Sequence, residues 1–255
     1  MDLRLPISGL DRYKSASQRA RVGTESWGEE NFFCPACQSP HLKSAPQGTA
    51  AIDYMCPNCR SPFQLKSQSR AFGSRIVDAA YSEMRRAILG DQTPNLYILH
   101  YDLAAWSVRT LILIPWFAFA LSAIERRKPL SATARRAGWV GCNIVLDRIP
   151  AAAQIPVIQE GRLWSRGAVR DAYRRLRPLE KLRVEGRGWT LDVLQVVESL
   201  NKEEFLLSEM YAHAGELSKL HPQNAHVNDK IRQQLQVLRD LGRVKFLGGG
   251  RYRVV

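Results

Sequence analysis

Two pairs of cysteines constrain the fold of this 255-residue chain more than any other feature. Cys34 and Cys37 form the first pair and Cys56 and Cys59 the second, with two residues inside each pair and 18 residues between the pairs. This spacing is typical of a site in which four thiolates hold one Zn²⁺ ion tetrahedrally. It predicts a structural zinc site that clamps a hairpin, since four independent buried thiols would not need such regular spacing.

Polar residues flank the second cysteine pair. Asp53 lies three residues before Cys56, Gln64 follows Cys59 by five residues, and Lys66 comes two positions later. Residues two apart in a strand share a face, so Gln64 and Lys66 would point together while the cysteine turn brings Asp53 opposite them. Metal-dependent phosphodiester cleavage needs an acidic metal ligand and a cation near the phosphate. From the spacing alone, however, an exposed strand edge with an ordinary lysine is the favoured interpretation.

The chain is strongly basic. Its 37 Lys and Arg residues against 24 Asp and Glu give a net charge of +13 at pH 7 and a pI near 9.9. The basic residues cluster in 126–136, in 166–187 and in the last 33 residues. This clustering favours a polyanionic partner, nucleic acid or an anionic membrane, over a basic protein with no such partner.

The longest apolar stretch does not predict a membrane span. Residues 110–124 are interrupted by Pro115, and a spanning helix needs roughly 20 apolar residues. The first residues lack the basic segment and long apolar core of a signal peptide. We therefore expect a cytoplasmic protein with no membrane partner, whose paired cysteines bind metal and whose fifth cysteine, Cys142, is a small buried hydrophobe.

The first two thirds of the sequence predict an α/β core. Helices are expected at 15–27 and at 77–89, the second ending at Gly90. Strands with continuous apolar character are expected at 96–101 and 110–114, with weaker candidates at 140–146 and 155–159 and a strand continuation or apolar loop at 116–119.

From about Arg187 the pattern changes to that of a winged helix. Apolar residues at helical spacing predict helices at 191–200, 205–220 and 224–241. Two short basic strands, 243–247 and 251–254, then flank the glycines 248–250 and predict a hairpin. We expect domains at 1–183 and 184–255.

Longer strings carry a resemblance to a known family. They are residues 126–144 (RRKPLSATARRAGWVGCNI) and 230–240 (KIRQQLQVLRD), together with Tyr13–Arg21, Thr24, Glu25, Trp27, the cysteine pairs and Arg187–Thr190. In these strings the chain resembles DpnI-type methyl-directed restriction endonucleases, the Dam-replacing family. The resemblance extends over nearly the whole chain, and the strings occur in the same order as in the family.

The resemblance implies a PD-(D/E)xK nuclease core with a zinc-clamped hairpin, followed by a winged-helix domain. It implies a type II endonuclease of the bacterial cytoplasm that cuts double-stranded GATC sites containing N6-methyladenine, acts with Mg²⁺ or Mn²⁺, and is a monomer in solution. Asp53 and Lys66 match the family's catalytic aspartate and lysine, with Asp53 and Gln64 as the magnesium ligands. Gln64 stands where the family has glutamate, which predicts weaker Mg²⁺ binding and a preference for Mn²⁺. Glu25 is either a further acid of the site or a solvated helix residue.

Two sets of residues are candidates for reading DNA. Trp139, in the basic segment with Arg135 and Arg136, either contacts the base stack or the methyl group or is a core tryptophan. Amide and basic side chains near the start of the third C-terminal helix suit the major groove, and arginines of the hairpin suit phosphates or the minor groove. These residues are Asn224, His226, Asn228, Lys230, Arg232 and Gln233 on the helix, and Arg251 and Arg253 on the hairpin.

Two other functions remain open at this point. The first is a non-cleaving methyladenine reader or transcriptional regulator in which Gln64 marks a degenerate nuclease site. The second is a zinc-ribbon module that binds only protein, which the basic surface disfavours.

Overall fold

The computed structural model describes residues 1–46, 48–49 and 51–255, which form a mixed α/β part and a C-terminal helical part. None of the helices in these ranges is long and apolar enough to cross a membrane. The helices of the first part are α1 (Ala16–Asn31), α2 (Tyr81–Leu89) and α3 (Arg166–Leu176). Its strands are β1 (Lys43–Ser44), β2 (Tyr54–Met55), β3 (Pro62–Gln68), β4 (Arg75–Ala80), β5 (Asn95–Asp102), β6 (Ser107–Ile114), β7 (Ile124–Arg126), β8 (Gly141–Val145), β9 (Ile155–Gln159) and β10 (Arg162–Leu163).

The largest sheet has seven strands in the order β1-β2-β3-β5-β6-β9-β10. β3 and β5 run parallel, with Gln64 opposite Leu96, and the other neighbours are antiparallel. Five successive residues of β5 are buried, so both faces of the sheet are covered, as its continuous apolar run predicts. The strands expected at 96–101, 110–114 and 155–159 are confirmed, and the segment after Pro115 forms a 3-10 turn, Trp116–Ala118.

A second, three-stranded sheet in the order β4-β8-β7 corrects one prediction. Residues 77–80, expected as the start of a helix, belong to β4, in which Ile76 and Asp78 are buried and their neighbours are exposed. This alternation of buried and exposed residues has the two-residue period of a strand. The predicted helix was too long because the helical pattern begins only at Tyr81. α2 ends before Gly90, whose φ is −95°, and the left-handed residue after the helix is Asp91 instead (φ 53°).

The C-terminal part has its own apolar core and its own sheet, in the order β11-β13-β12. The helix expected at 205–220 begins instead as a strand, because Phe205 pairs with Tyr252 and stacks on its ring at 5.5 Å, and the helix breaks at His213. The expected third helix and hairpin are confirmed. The elements are α4 (Val184–Ser199), β11 (Glu204–Leu206), α5 (Leu207–Ala212), α6 (Ala214–Leu220), α7 (Val227–Asp240), β12 (Val244–Gly248) and β13 (Arg251–Val254).

Helix α4 packs against both parts. Leu191 belongs to the core of the first part, whereas Trp189 and Val193 belong to the C-terminal core. Arg187, one of the basic residues clustered in 166–187, is 2 % exposed and forms an ion pair with Asp91. Its side chain therefore joins the two parts rather than facing a partner.

Candidate active site and metal centre

The four paired cysteines converge. Their sulfur atoms all lie within 4.8 Å of one another, with 3.6 Å between Cys34 and Cys59 and 3.5 Å between Cys37 and Cys56. A tetrahedron with metal–sulfur bonds of about 2.3 Å has edges of about 3.8 Å. The sulfur positions therefore fit a single tetrahedral ion, and among the described residues this is the one group of three or more His, Cys, Asp or Glu ligands close enough to share a metal.

Backbone geometry prepares the second pair for a metal. Burial alone would raise the pKa of the Cys56 thiol, but N–H donation from Cys59 and Asn58, together with hydrogen bonds to the Cys37 and Cys59 thiols, outweighs it and lowers the pKa to about 7. This favours the thiolate, the form that binds a metal. Burial raises the pKa of Cys34. Arg60, which follows the pair, has a left-handed φ of 62° and donates its N–H to Cys56 O at 3.0 Å, which closes the turn.

Two arginines of the basic segment 166–187 support the first cysteine pair. Arg170 on α3 donates to the carbonyl oxygens of Cys34 and Ser39, both at 3.1 Å, and Arg166 donates to Pro40 O at 3.2 Å. These two guanidinium groups also lie over the ring of Phe33. They have a structural role that the sequence pattern did not reveal.

The turn that contains the second cysteine pair places Asp53 beside β3. The Asp53 N–H donates to Phe63 O at 2.9 Å, and its Oδ2 accepts the Leu65 N–H at 2.7 Å. The carboxylate is thereby fixed at the level of Gln64 and Lys66, which flank Leu65 on the strand. The expected convergence of these three side chains on one pocket is present.

That pocket has a volume of about 200 Å³, and α1 forms its other side. Glu25 lines it and forms an ion pair with Arg21 at 2.7 Å. The hydrogen bond from Arg21 to Glu25 and, to a smaller extent, the negative charge of Glu25 raise the pKa of Arg21. A Cβ at Gly28 would lie 2.5 Å from the Tyr54 hydroxyl, so glycine lets α1 approach the strand. The lining residues are Arg21, Thr24, Glu25, Asp53, Gln64, Leu65, Lys66 and Ser67.

The ammonium group of Lys66 contacts a carboxylate that the sequence did not suggest. Its Nζ lies 2.7 Å from Oδ1 of Asp78 on β4, and the Asp78 side chain is 4 % exposed. Cys142, opposite Asp78 on β8, is fully buried as expected, and burial and the charge of Asp78 raise its pKa to about 12. The sequence around Asp78 (RIVDAA) does not alternate between apolar and polar residues, so it gave no signal of this contact.

The oxygen atoms around the pocket suit a hard divalent cation. Asp53, Glu25 and the amide oxygen of Gln64 are the donor types that Mg²⁺ and Mn²⁺ prefer. Glu25 lines the pocket, although its side chain is 37 % exposed and is held by Arg21. With glutamine at position 64, the pocket has one negative charge fewer than it would have with glutamate.

The candidate DNA-reading residues of the first part lie in the 127–140 loop between β7 and β8. Arg135 and Arg136 are exposed, and Trp139 is half-buried, so it is not a core tryptophan. The Arg136 guanidinium lies 5.0 Å from the centre of the Trp139 ring, and Gly141 makes room for that ring, since a Cβ there would lie 2.9 Å from it. The tryptophan is thus held at the surface.

The candidates of the C-terminal part surround an open groove of about 680 Å³ at the N-terminal end of α7. Asn224 Oδ1 accepts the N–H of His226 at 2.8 Å, which orders the turn into the helix. On the hairpin Arg251 and Arg253 are exposed, but Arg253 pairs with Glu204 at 2.5 Å. Asn228, Arg232 and Gln233 are exposed and Lys230 is half-buried, while Asn224, His226, Lys230 and Gln233 line the groove.

Two family models match the chain. One, described as DpnI, Dam-replacing family, matches residues 1–182. The other, described as the DpnI_C Dam-replacing HTH domain, matches residues 185–254. The second assigns a helix-turn-helix domain to the segment that contains α4 to β13.

Proposed function

Because the chain belongs to the DpnI, or Dam-replacing, family, we propose that it is a metal-dependent, methyl-directed restriction endonuclease. The observation that carries the proposal is the pocket in which Asp53, Gln64 and Lys66 meet opposite Glu25. It combines oxygen ligands for a divalent cation with a lysine that can neutralise a phosphate. We propose further that the first part is a PD-(D/E)xK core and that the domains divide at residues 183 and 184.

Each pocket residue has a role in phosphodiester hydrolysis. Asp53 and the Gln64 carbonyl oxygen hold the cation, and Glu25 provides a further carboxylate. A Mg²⁺ or Mn²⁺ ion held by these residues would supply Lewis-acid polarisation of the scissile phosphate and of the attacking water. Lys66 donates to the phosphate oxygens and stabilises the charge that develops during attack by water.

Zinc is the metal we propose for the four cysteines, and its role is structural. A closed tetrathiolate site has no position for a substrate or a reactive water. It fixes the turn between β2 and β3, which holds Asp53 beside Gln64 and Lys66.

Two surfaces are proposed to read double-stranded DNA at GATC sites with N6-methyladenine. The N-terminal end of α7 offers amide groups that can pair with adenine and arginine that can pair with guanine. Trp139, held beside Arg136, offers an apolar ring for the base stack or the methyl group. Each contact with a base favours the correct base over a wrong one by only about 1–3 kcal/mol, so two reading surfaces give higher selectivity for the site than one.

A pair of matched plasmids tests the proposal. One is adenine-methylated at GATC, the other is not, and both are incubated with the protein and Mg²⁺ or Mn²⁺. We expect only the methylated plasmid to be cut, and we expect Lys66→Met to abolish cutting while Lys43→Met, an exposed lysine on β1, does not. Equal cutting of both plasmids would refute methyl direction, and no cutting of either would refute the nuclease.

Gln64 favours a second candidate function, a methyladenine reader that does not cut. In that case the wild-type protein binds methylated duplexes selectively and leaves them intact with either metal. Cutting that appears only after Gln64→Glu would establish this alternative, because the rest of the pocket would then be competent.

A further inference from the structure

The buried carboxylate of Asp78 is the contact that fixes the ammonium group of Lys66. The two groups are 2.7 Å apart, with the lysine side chain 24 % and the aspartate side chain 4 % exposed. Asp78 comes from the three-stranded sheet, whereas Lys66 comes from the seven-stranded sheet. The lysine of the pocket is therefore held by a residue that lies outside both the hairpin and α1, which line the pocket.

We propose that Asp78 is a positioning residue, which holds the Lys66 ammonium at the pocket and thereby sets the rate of phosphodiester cleavage. This inference rests on the proposed nuclease function for its catalytic consequence. The ion pair itself is a property of the fold and is testable without catalysis.

The other carboxylates near Lys66 have partners of their own. Asp53 accepts the Leu65 N–H, Glu25 pairs with Arg21, and Gln64 has no charge with which to attract an ammonium group. Lysine is a point charge on a flexible four-carbon stem, so a fixed counter-charge is needed to hold it in one place. Asp78 is the carboxylate in contact with it.

Asp78 depends equally on Lys66. Its Oδ1 is buried and accepts no hydrogen bond from the described residues, so the Lys66 ammonium group 2.7 Å away is the positive charge that compensates it. A buried charge is stable only when paired. The pairing of β4 with β8 shifts register between Asp78 and Ala80, and such an irregularity redirects a side chain.

The matched substitution is Asp78→Asn, which keeps the shape and removes the charge. We expect the single-turnover cleavage rate of a methylated duplex to fall about 100-fold, as for a misplaced catalytic group. The Kd for the duplex, measured with Ca²⁺ in place of Mg²⁺, should not change, because Asp78 is buried. Glu125→Gln is the control, since Glu125 forms an exposed ion pair with Arg75 in the same sheet.

A double-mutant cycle tests the pairing of Asp78 with Lys66. Because substitution of Lys66 abolishes cutting, the cycle is measured by thermal unfolding. The double variant Lys66→Ala with Asp78→Asn should be more stable than Lys66→Ala alone, because the asparagine removes the unpaired buried charge. Additive losses of stability would overturn the proposal.

Two further outcomes remain informative. If Asp78→Asn does not fold, Asp78→Glu keeps the charge but moves it, and an unchanged cleavage rate in that variant would overturn the proposal. If the wild-type protein does not cut, the proposed function fails. The unfolding cycle still decides whether Asp78 holds Lys66, and independent effects there would overturn the pairing.

Discussion

The ring Nε2 of His221 lies 2.7 Å from Oδ2 of Asp192, and this contact ties the segment before α7 to α4. The His221 ring also stacks on Trp189 at 3.8 Å. The other oxygen of Asp192 accepts the Ser122 hydroxyl at 2.5 Å, and Ser122 belongs to the first part of the chain. One buried carboxylate therefore connects the proposed nuclease domain with the approach to the proposed reading helix.

Asp192→Ala should destabilise the protein by about 2–3 kcal/mol, because it leaves the Ser122 hydroxyl and the His221 ring without their partner. Urea unfolding monitored by tryptophan fluorescence measures the change. His213→Ala is the control, since its contact with Glu216 is exposed and such pairs contribute little. Equal stability of Asp192→Ala and wild type would show that the junction does not depend on this carboxylate.

Gln64→Glu should lower the Mg²⁺ concentration that gives half-maximal cutting by on the order of tenfold, because it adds a charged ligand. Cleavage rates over a Mg²⁺ titration measure the effect. Gln159→Glu makes the same change at an exposed position of β9 and should leave the titration curve in place. A Gln64→Glu curve that coincides with that of the wild type would exclude position 64 from the metal site.

Cys59→Ser should release zinc and abolish cutting even in excess Mg²⁺, because the turn that holds Asp53 beside β3 loses its clamp. Metal content and cleavage are measured on the same preparation. Cys142→Ser, at the cysteine outside the cluster, should retain zinc. Full cutting by a zinc-free protein would contradict the coupling between the two sites.

Arg251→Ala should reduce the slope of log affinity against log salt concentration by about one, as expected for the loss of one phosphate contact. Arg253→Ala should reduce it less, because Glu204 already neutralises that guanidinium. Binding to a methylated duplex is measured over a range of salt concentrations. Identical slopes for the two variants would mean that the pairing with Glu204 does not persist on DNA.

The half-buried Glu198 predicts a pH dependence of stability. Burial raises its pKa, although N–H donation from Ala151 and Ala152 opposes the shift. A raised pKa means that the folded state binds the proton more tightly, so the contribution is complete below the pKa of the unfolded carboxyl, about 4.3, and is lost as pH rises through the folded value. Melting temperatures should therefore fall more between pH 4 and pH 8 in the wild type than in Glu198→Gln. Parallel curves for the two proteins would refute this.

Patterns that are local in the sequence predicted most of the elements. The spacing of the cysteines predicted the metal cluster, and the apolar runs at 96–101 and 155–159 predicted buried strands. Both predictions succeeded because they depend only on the spacing and periodicity of residues along the chain. The same logic brought Asp53 to Gln64 and Lys66 through a single turn. Such features depend on few long-range contacts.

The features that were missed depend on contacts distant in the sequence. Asp78 meets Lys66 only when two separate sheets pack, and Phe205 becomes a strand residue only when β13 is beside it. Arg170 and Arg187 looked like surface charge until their partners, Ser39 and Asp91, were in place. Lys66 and Asp78 are only 12 residues apart, but their strands belong to different sheets and do not pair. The members of the other pairs are far apart in the sequence.

Helix α4 belongs to two cores at once, and this has a consequence for how the protein can be rearranged. A chimaera in which the segment after residue 183 is replaced by that of another protein would lose Leu191 and Asp192. These two residues contact the first part of the chain, Leu191 in its apolar core and Asp192 through Ser122. Functional chimaeras should therefore require a donor helix that retains these inward-facing side chains.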